Sequence, residues 1–95
     1  MAVEVVMWLM SDLLYTIKIL FFATLKDRTG FSGLSLEIPE SMTVKELKDH
    51  LCKQYPGLLP AMPSALAAIN HEFAFDEDYI PDEAEVAFFP PVSGG

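Results

Sequence analysis

Cysteine, histidine and, over the second half of the chain, positive charge are scarce in this sequence. Cys52 is the only cysteine among 95 residues. An intramolecular disulfide is therefore impossible, and a zinc site built from several thiolates has no ligands to draw on. A solitary thiol suits a reducing compartment, so a cytoplasmic location is expected. His50 and His71 have no companion ligand or nucleophile nearby in sequence, and both read as ordinary surface or turn residues. All six basic residues (Lys18, Lys26, Arg28, Lys45, Lys48, Lys53) fall in the first 53 positions, whereas residues 54–95 hold seven acids and no Lys or Arg. The formal net charge is −8. Such a chain repels a phosphate backbone and an anionic membrane surface, so neither nucleic acid nor membrane is expected as a partner. A protein with a basic surface fits the charge, and so does plain solubility.

A long hydrophobic run is also missing. Val5 to Met10 is apolar, but a bilayer needs about 20 such residues. The only charge before it is Glu4, with no positive lead and no Ala-x-Ala cleavage pattern, so a secretory signal is not expected. Residues 1–14 read as an N-terminal extension. An extra edge strand and an upstream start codon account for it equally well.

What is present points to one small folded domain. Hydrophobic residues make up 52% of the chain and include seven Phe, which excludes disorder. Tyr15 to Ala23 is rich in strand-formers. Ile17, Ile19, Phe21 and Ala23 alternate onto one face, Thr16 and Lys18 onto the other, and Leu20 and Phe22 make that second face apolar at its far end. Lys26-Asp27-Arg28-Thr29-Gly30 reads as a turn. Leu34, Leu36 and Ile38 alternate with Ser35 and Glu37, which predicts a half-buried strand antiparallel to the first and ended by Pro39. Thr43-Val44-Lys45-Glu46 matches a capping box, with Met42 and Leu47 placed for a hydrophobic staple. Val44, Leu47, Leu51 and Tyr55 then form one helical stripe, stopped by Pro56-Gly57. Leu58 to Ser64 reads as loop. Leu66 to Ile69 is a short strand, Asn70-His71-Glu72 a turn, and Phe73 to Phe75 a brief return strand. Asp76 to Glu85 is acidic loop, and Val86 to Phe89 is the last strand.

The order β-β-α-β-(β)-β predicts an α+β fold of the β-grasp, or ubiquitin-like, type. It would be a mixed sheet of four to five strands with one main helix packed on one face, and the final strand would run parallel beside the first. The domain would span residues 15–89, and residues 90–95 would be an extended tail. In that tail, Pro90 and Pro91 fix φ and favour an extended path away from the domain. Gly94 and Gly95 have no side chains and can enter a narrow channel, with a carboxylate at the tip. A carboxylate is a poor acyl donor until activated. Adenylation and sulfur loading would turn it into a thiocarboxylate, a tethered nucleophile at high effective concentration in a partner's pocket.

At this point the sequence resembles a known family, the small subunit of molybdopterin synthase. The resemblance rests on Ile17-Lys18-Ile19-Leu20-Phe21-Phe22-Ala23, Thr43-Val44-Lys45-Glu46-Leu47, Ala67-Ala68-Ile69-Asn70, and above all Glu85 through Gly95. It covers the chain except the first fourteen residues. It implies that Gly95 is the adenylate and thiocarboxylate site, activated by a ubiquitin-activating-type adenylating enzyme that uses ATP. It implies that the tail (Pro90, Pro91, Val92, Ser93, Gly94) enters a catalytic large subunit, with Phe22, Phe73 and Phe89 at the interface. Sulfur would pass to cyclic pyranopterin monophosphate in molybdenum cofactor biosynthesis. The chain would be a non-catalytic donor subunit in a heterotetramer and would hold no cofactor or metal of its own. Two departures stand out: the family often has Gly-Asp-Glu before the last strand, where this chain has Glu83-Ala84-Glu85, and the extension at residues 1–14 is unusual. Two alternatives stay open: another Gly-Gly sulfur carrier, for thiamine or tRNA thiolation, and a ubiquitin-like protein modifier. Cys52 reads as a semi-buried structural thiol rather than a sulfur relay, and Asp76-Glu77-Asp78 as a solvated, partner-facing loop rather than a calcium site.

Overall fold

Alternation of large apolar residues sets the first strand, and the rest of the sheet assembles on it. The computed structural model describes residues 14–91. Expectations about residues 1–13 and about Val92, Ser93, Gly94 and Gly95 lie outside the described residues. Strand β1 (Leu14–Phe21) buries Ile17, Ile19 and Phe21 and turns Thr16 and Lys18 outward. Helix α1 (Thr24–Thr29) leads to β2 (Gly33–Pro39), which pairs antiparallel with β1, Ile17 opposite Leu36. Helix α2 (Val44–Gln54) crosses over, followed by two short 3₁₀ turns. Strands β3 (Leu66–Ile69) and β4 (Glu72–Ala74) form a hairpin, and β5 (Glu85–Phe89) closes the sheet. The strand order is β2-β1-β5-β3-β4, with β5 parallel to β1 and antiparallel to β3. This is the β-grasp arrangement that the element order predicts.

The core lies between the sheet and α2. Ile17, Ile19, Phe21, Ala67, Val86 and Phe88 on the sheet meet Val44, Leu47 and Leu51 on the helix. Phe21 and Phe88 stack with ring centroids 6.4 Å apart on the two central strands. Truncating either ring to Ala would cost about 3–5 kcal/mol, a large part of the stability of a domain this small.

The start of α2 is held twice. The Thr43 hydroxyl accepts from the Glu46 N–H at 3.2 Å, and the Glu46 carboxylate accepts from the Thr43 N–H at 3.0 Å, completing the capping box. Two further N–H groups of the first turn, Val44 and Lys45, donate to the backbone carbonyls of Asp78 and Asp76 at 3.0 and 2.9 Å. The acidic segment after β4 is therefore bonded across the helix start. Lys48 reinforces it: its buried ammonium donates to the Ala65 carbonyl at 2.8 Å and meets the Asp76 carboxylate at 2.9 Å. Asp78 caps the Phe75 N–H at 2.8 Å. Asp82 accepts from the N–H groups of Thr16 and Glu83, each at 2.9 Å. These three carboxylates brace the fold instead of merely facing solvent.

Several local expectations shift. Strand β1 ends at Phe21, and Ala23 does not share its buried face, because the chain turns at that residue. Residues 24–29 form a helical turn and a half rather than an open turn. Leu25 is wholly buried and anchors it, and Gly30 ends it in the left-handed region, its N–H donating to the Lys26 carbonyl. Leu34 and Leu36 are only half-buried, since β2 is an edge strand, while Ile38 is fully covered. The segment after α2 carries Leu58 and Met62, both fully buried, so it is pinned to the core. Strand β4 begins one residue earlier than its aromatic pattern suggests and ends at Ala74.

The turn before β5 keeps its shape without glycine. Glu83 sits at φ 60, in the left-handed region, and its N–H is held by Asp82 and by the Thr16 carbonyl at 2.9 Å. A Cβ there is strained. Glu83→Gly should therefore raise unfolding stability by about 1 kcal/mol, relief of strain outweighing the greater freedom of the unfolded chain. A urea titration reads this as a higher midpoint at unchanged slope, and a lower midpoint would show that the Glu83 side chain contributes more than the strain removes.

Candidate functional site

Strand parity creates a second face that α2 does not reach. On β1 it carries Thr16, Lys18 and Leu20, on β5 Glu85, Ala87 and Phe89, on β3 Leu66 and Ala68, and on β4 Phe73. Register aligns these in rows. Leu20, Ala87, Ala68 and Phe73 lie side by side across four strands. One row beyond, Phe22, Phe89 and Leu66 form the apolar end, the Phe22 N–H donating to the Phe88 carbonyl at 3.2 Å. One row the other way, Lys18 pairs with Glu85, and His71 reaches within 3.8 Å of the Glu85 carboxylate. The face therefore grades from charged to wholly apolar along the strands.

The apolar end is exposed. Phe73 is 79% exposed, Phe22 41% and Leu66 40%. Phe22 and Phe89 stack almost parallel, 4.7 Å between centroids and 11° between planes. A shallow groove of about 290 Å³ runs between Leu20, Phe22, Ala68, Phe73, Ala87 and Phe89. His71 and Glu85 line its charged end, and its exposed apolar part is a candidate docking surface. The chain leaves β5 at Phe89 and continues through Pro90 on the rim of the same patch, where it lines a second groove with Phe22, Ala23, Leu66, Phe73 and Phe89. Of the residues implicated by sequence, Phe22, Phe73, Phe89 and Pro90 thus come together, and Pro91 follows exposed. Val92, Ser93, Gly94 and Gly95 lie beyond the described residues. Leu20, Leu66, Ala68 and Ala87 complete the face. Their signal in the sequence is weak, because short apolar runs such as Leu66–Ile69 do not reveal which alternate residue turns outward.

The histidines and the thiol separate. His71 sits in the β3–β4 turn at the charged edge of this face, whereas His50 is on α2 in the other layer. Cys52 is buried on α2, and burial first, then the Asp49 carboxylate, pushes its thiol pKa up. Among the described residues no group of three or more His, Cys, Asp or Glu could hold a metal ion, and no helix is long and apolar enough to cross a membrane.

Comparison with known proteins fits this geometry. The family model described as "ThiS family" matches residues 19–95. The chain belongs to the ThiS family. The molybdopterin synthase sulfur carrier subunit of Arabidopsis thaliana is 33% identical over 79 residues, covering 83% of this chain and 82% of that protein. The Escherichia coli protein of the same name is 35% identical over 81 residues, covering 83% and 99%. The resemblance read from the sequence motifs is therefore borne out across the domain. Among solved structures, small archaeal modifier protein 1 of H. volcanii superposes with a TM-score of 0.73 at 22% identity, covering 82% of this chain and 99% of that one. A complex of subunits 1 and 2 of the molybdopterin-converting factor from Helicobacter pylori contains a chain that matches with a TM-score of 0.57 at 18% identity, covering 84% and 99%. Both likenesses concern the fold.

A raised pKa and burial make Cys52 a poor nucleophile. Iodoacetamide at pH 8 should alkylate it at least about tenfold more slowly in the folded protein than in urea. Equal rates in the two states would mean an accessible, activated thiol and would reopen a sulfur-relay role.

Proposed function

We propose that this chain is the sulfur-carrier subunit of a molybdopterin synthase, and that its reagent is the Gly95 carboxyl group. One observation carries the reading: β5 ends on the rim of an exposed apolar face and passes directly into Pro90-Pro91. A docking patch and the start of a stiff tail therefore adjoin. Similarity to sulfur carrier subunits over most of the chain supports it.

The chemistry follows from what a carboxylate lacks. In a partner of the ubiquitin-activating type, the Gly95 carboxylate attacks the α-phosphate of ATP, forming an acyl adenylate and releasing pyrophosphate. A sulfur donor at the sulfide level then displaces AMP and leaves a thiocarboxylate. Its sulfur is a far better nucleophile at neutral pH than a carboxylate oxygen. The tail next enters the catalytic large subunit, where sulfur passes to cyclic pyranopterin monophosphate to build the dithiolene. This chain supplies the tether, the stiff Pro-Pro lead and the docking face with Phe22, Phe73 and Phe89, and the partners supply ATP binding and catalysis. Two small and two large subunits make the assembly, in the cytoplasm. A protein-modifier role, suggested by the fold shared with the H. volcanii modifier protein, would use the same activation but end in an isopeptide bond to a lysine.

Co-expression with a cognate adenylating enzyme should replace one carboxyl oxygen by sulfur, read by intact-mass spectrometry, and an unchanged mass with every such enzyme defeats the carrier reading. Deleting Gly95 should abolish sulfur transfer while leaving the urea midpoint unchanged. Phe89→Asp should weaken binding to a molybdopterin synthase large subunit about tenfold or more. Recovery of lysine conjugates instead of a large-subunit complex would favour the modifier.

A further inference from the structure

Four non-glycine residues among those described adopt positive φ: Ala23, Asn70, His71 and Glu83. Three have a local account. Asn70 and His71 form the tight β3–β4 turn, where Asn and His are the residues that tolerate this region best, and the Asn70 side chain also accepts from the Glu85 N–H at 2.9 Å. Glu83 is braced by Asp82. Ala23 differs: it starts α1, its carbonyl accepting from the Lys26 and Asp27 N–H groups at 3.1 and 3.3 Å, but no side chain caps it. Its side chain offers no hydrogen bond, and its φ of 53 with ψ of −128 belongs to the first central position of a type II′-like turn, a place usually held by glycine. The Leu25 N–H closes that turn on the Phe22 carbonyl at 3.1 Å.

The neighbours show what the turn does. Phe21 and Leu25 on either side of it are both buried, so they fix the two ends of the reversal. Phe22 lies between Phe21 and the strained residue, and it is thrust outward onto Phe89. The Ala23 methyl meanwhile lines the groove formed by Phe22, Leu66, Phe73, Phe89 and Pro90. Glycine would relieve the strain, but it would remove that methyl and free the backbone beside Phe22. Strain that the local side chain does not offset, placed at the edge of an exposed apolar patch, is the signature of a site held for function.

We propose that Ala23 is a positioning residue of the docking face. Its turn holds Phe22 stacked on Phe89, and its methyl completes the groove wall where the chain passes into Pro90. The role rests on the reading of that face as the large-subunit docking surface. It adds a specific device to that surface: a preorganised aromatic pair, whose order need not be imposed at the moment of binding.

Ala23→Gly tests it. The urea midpoint should stay the same or rise, whereas the Kd for a molybdopterin synthase large subunit should increase about three- to tenfold. The ring-current shifts of Phe22 and Phe89 protons in the NMR spectrum of the free protein should shrink as the stack loosens. The conservative Ala23→Ser, which keeps a Cβ, should restore both affinity and shifts to near the parent values. Affinity and ring shifts unchanged in Ala23→Gly would overturn the proposal, and so would a lowered midpoint, since weaker binding would then follow from general loosening of the fold. Phe89→Asp, measured against the same partner, separates the two levels. If it weakens binding while Ala23→Gly does not, the docking face stands and the role of Ala23 falls. If neither variant changes affinity, the docking face itself is wrong.

Discussion

A sheet has two faces, and among the described residues one main helix packs against it. Everything distinctive about the molecule follows from that shortfall. Helix α2 and the pinned segment after it seal the side bearing Ile17, Ile19, Phe21, Val86 and Phe88. Among the described residues no helix packs on the opposite side. A sheet exposed in this way normally carries polar residues on its outer face. Here the outer face is polar only near Lys18 and Glu85, and it becomes apolar toward Phe22, Leu66, Phe73 and Phe89. An apolar outer face is a cost to a lone domain and an asset to a domain that spends its working life against partners. Parallel pairing of β5 with β1 fixes where this matters, because it directs the end of the last strand, and so the start of the tail, to the apolar end.

Acidity does more than one job. In the sequence, the run of carboxylates from Asp76 to Glu85 reads as a solvated loop. In the fold, Asp76, Asp78 and Asp82 accept hydrogen bonds or an ion pair that tie this loop to the start of α2, to β4 and to β1. Hydrogen bonds from backbone N–H groups hold a carboxylate without neutralising it. Among the described residues, Asp76 meets the Lys48 ammonium, which is itself buried, and Glu85 has the His71 imidazole 3.8 Å away. The loop is thus ordered and still negative, which leaves its field available to steer a basic partner.

Much of this was legible in the sequence, and the failures have physical causes. Alternation gave the strands because residue parity is a local property. The capping box gave the start of α2 because Thr43 and Glu46 bond only across three residues. The parallel closure followed from element order. The short α1 was missed because six residues are too few for a helical stripe, and its one core anchor, Leu25, looks like any leucine. Lys48 was missed for the opposite reason: nothing local to a lysine on a helix predicts that the Ala65 carbonyl and the Asp76 carboxylate will close over it. The open face was only partly visible. Phe22 and Phe89 announce themselves as apolar residues off the buried register, but Leu66 and Ala68 sit in a run whose two faces look alike until register with β5 separates them.

Backbone strain sorts these residues in a way that composition cannot. Glu83 and Ala23 both sit where glycine would relax, yet they are not equivalent. The strain at Glu83 is balanced nearby by the Asp82 carboxylate and the Thr16 carbonyl, and it shapes a turn that feeds β5 into its register. At Ala23 the compensation is backbone only, the Phe22 and Ala23 carbonyls accepting from the N–H groups of Leu25, Lys26 and Asp27, and the turn sets an exposed ring. A bracing side chain therefore accounts for the first and not for the second. The position of the second is of use once the outer face is treated as a preformed surface. Two aromatic rings held rigid before contact lose little freedom on binding, so a small patch can grip firmly. Among the described residues, the reversal between Phe21 and Leu25 is a place to build such rigidity that adjoins the route into the tail.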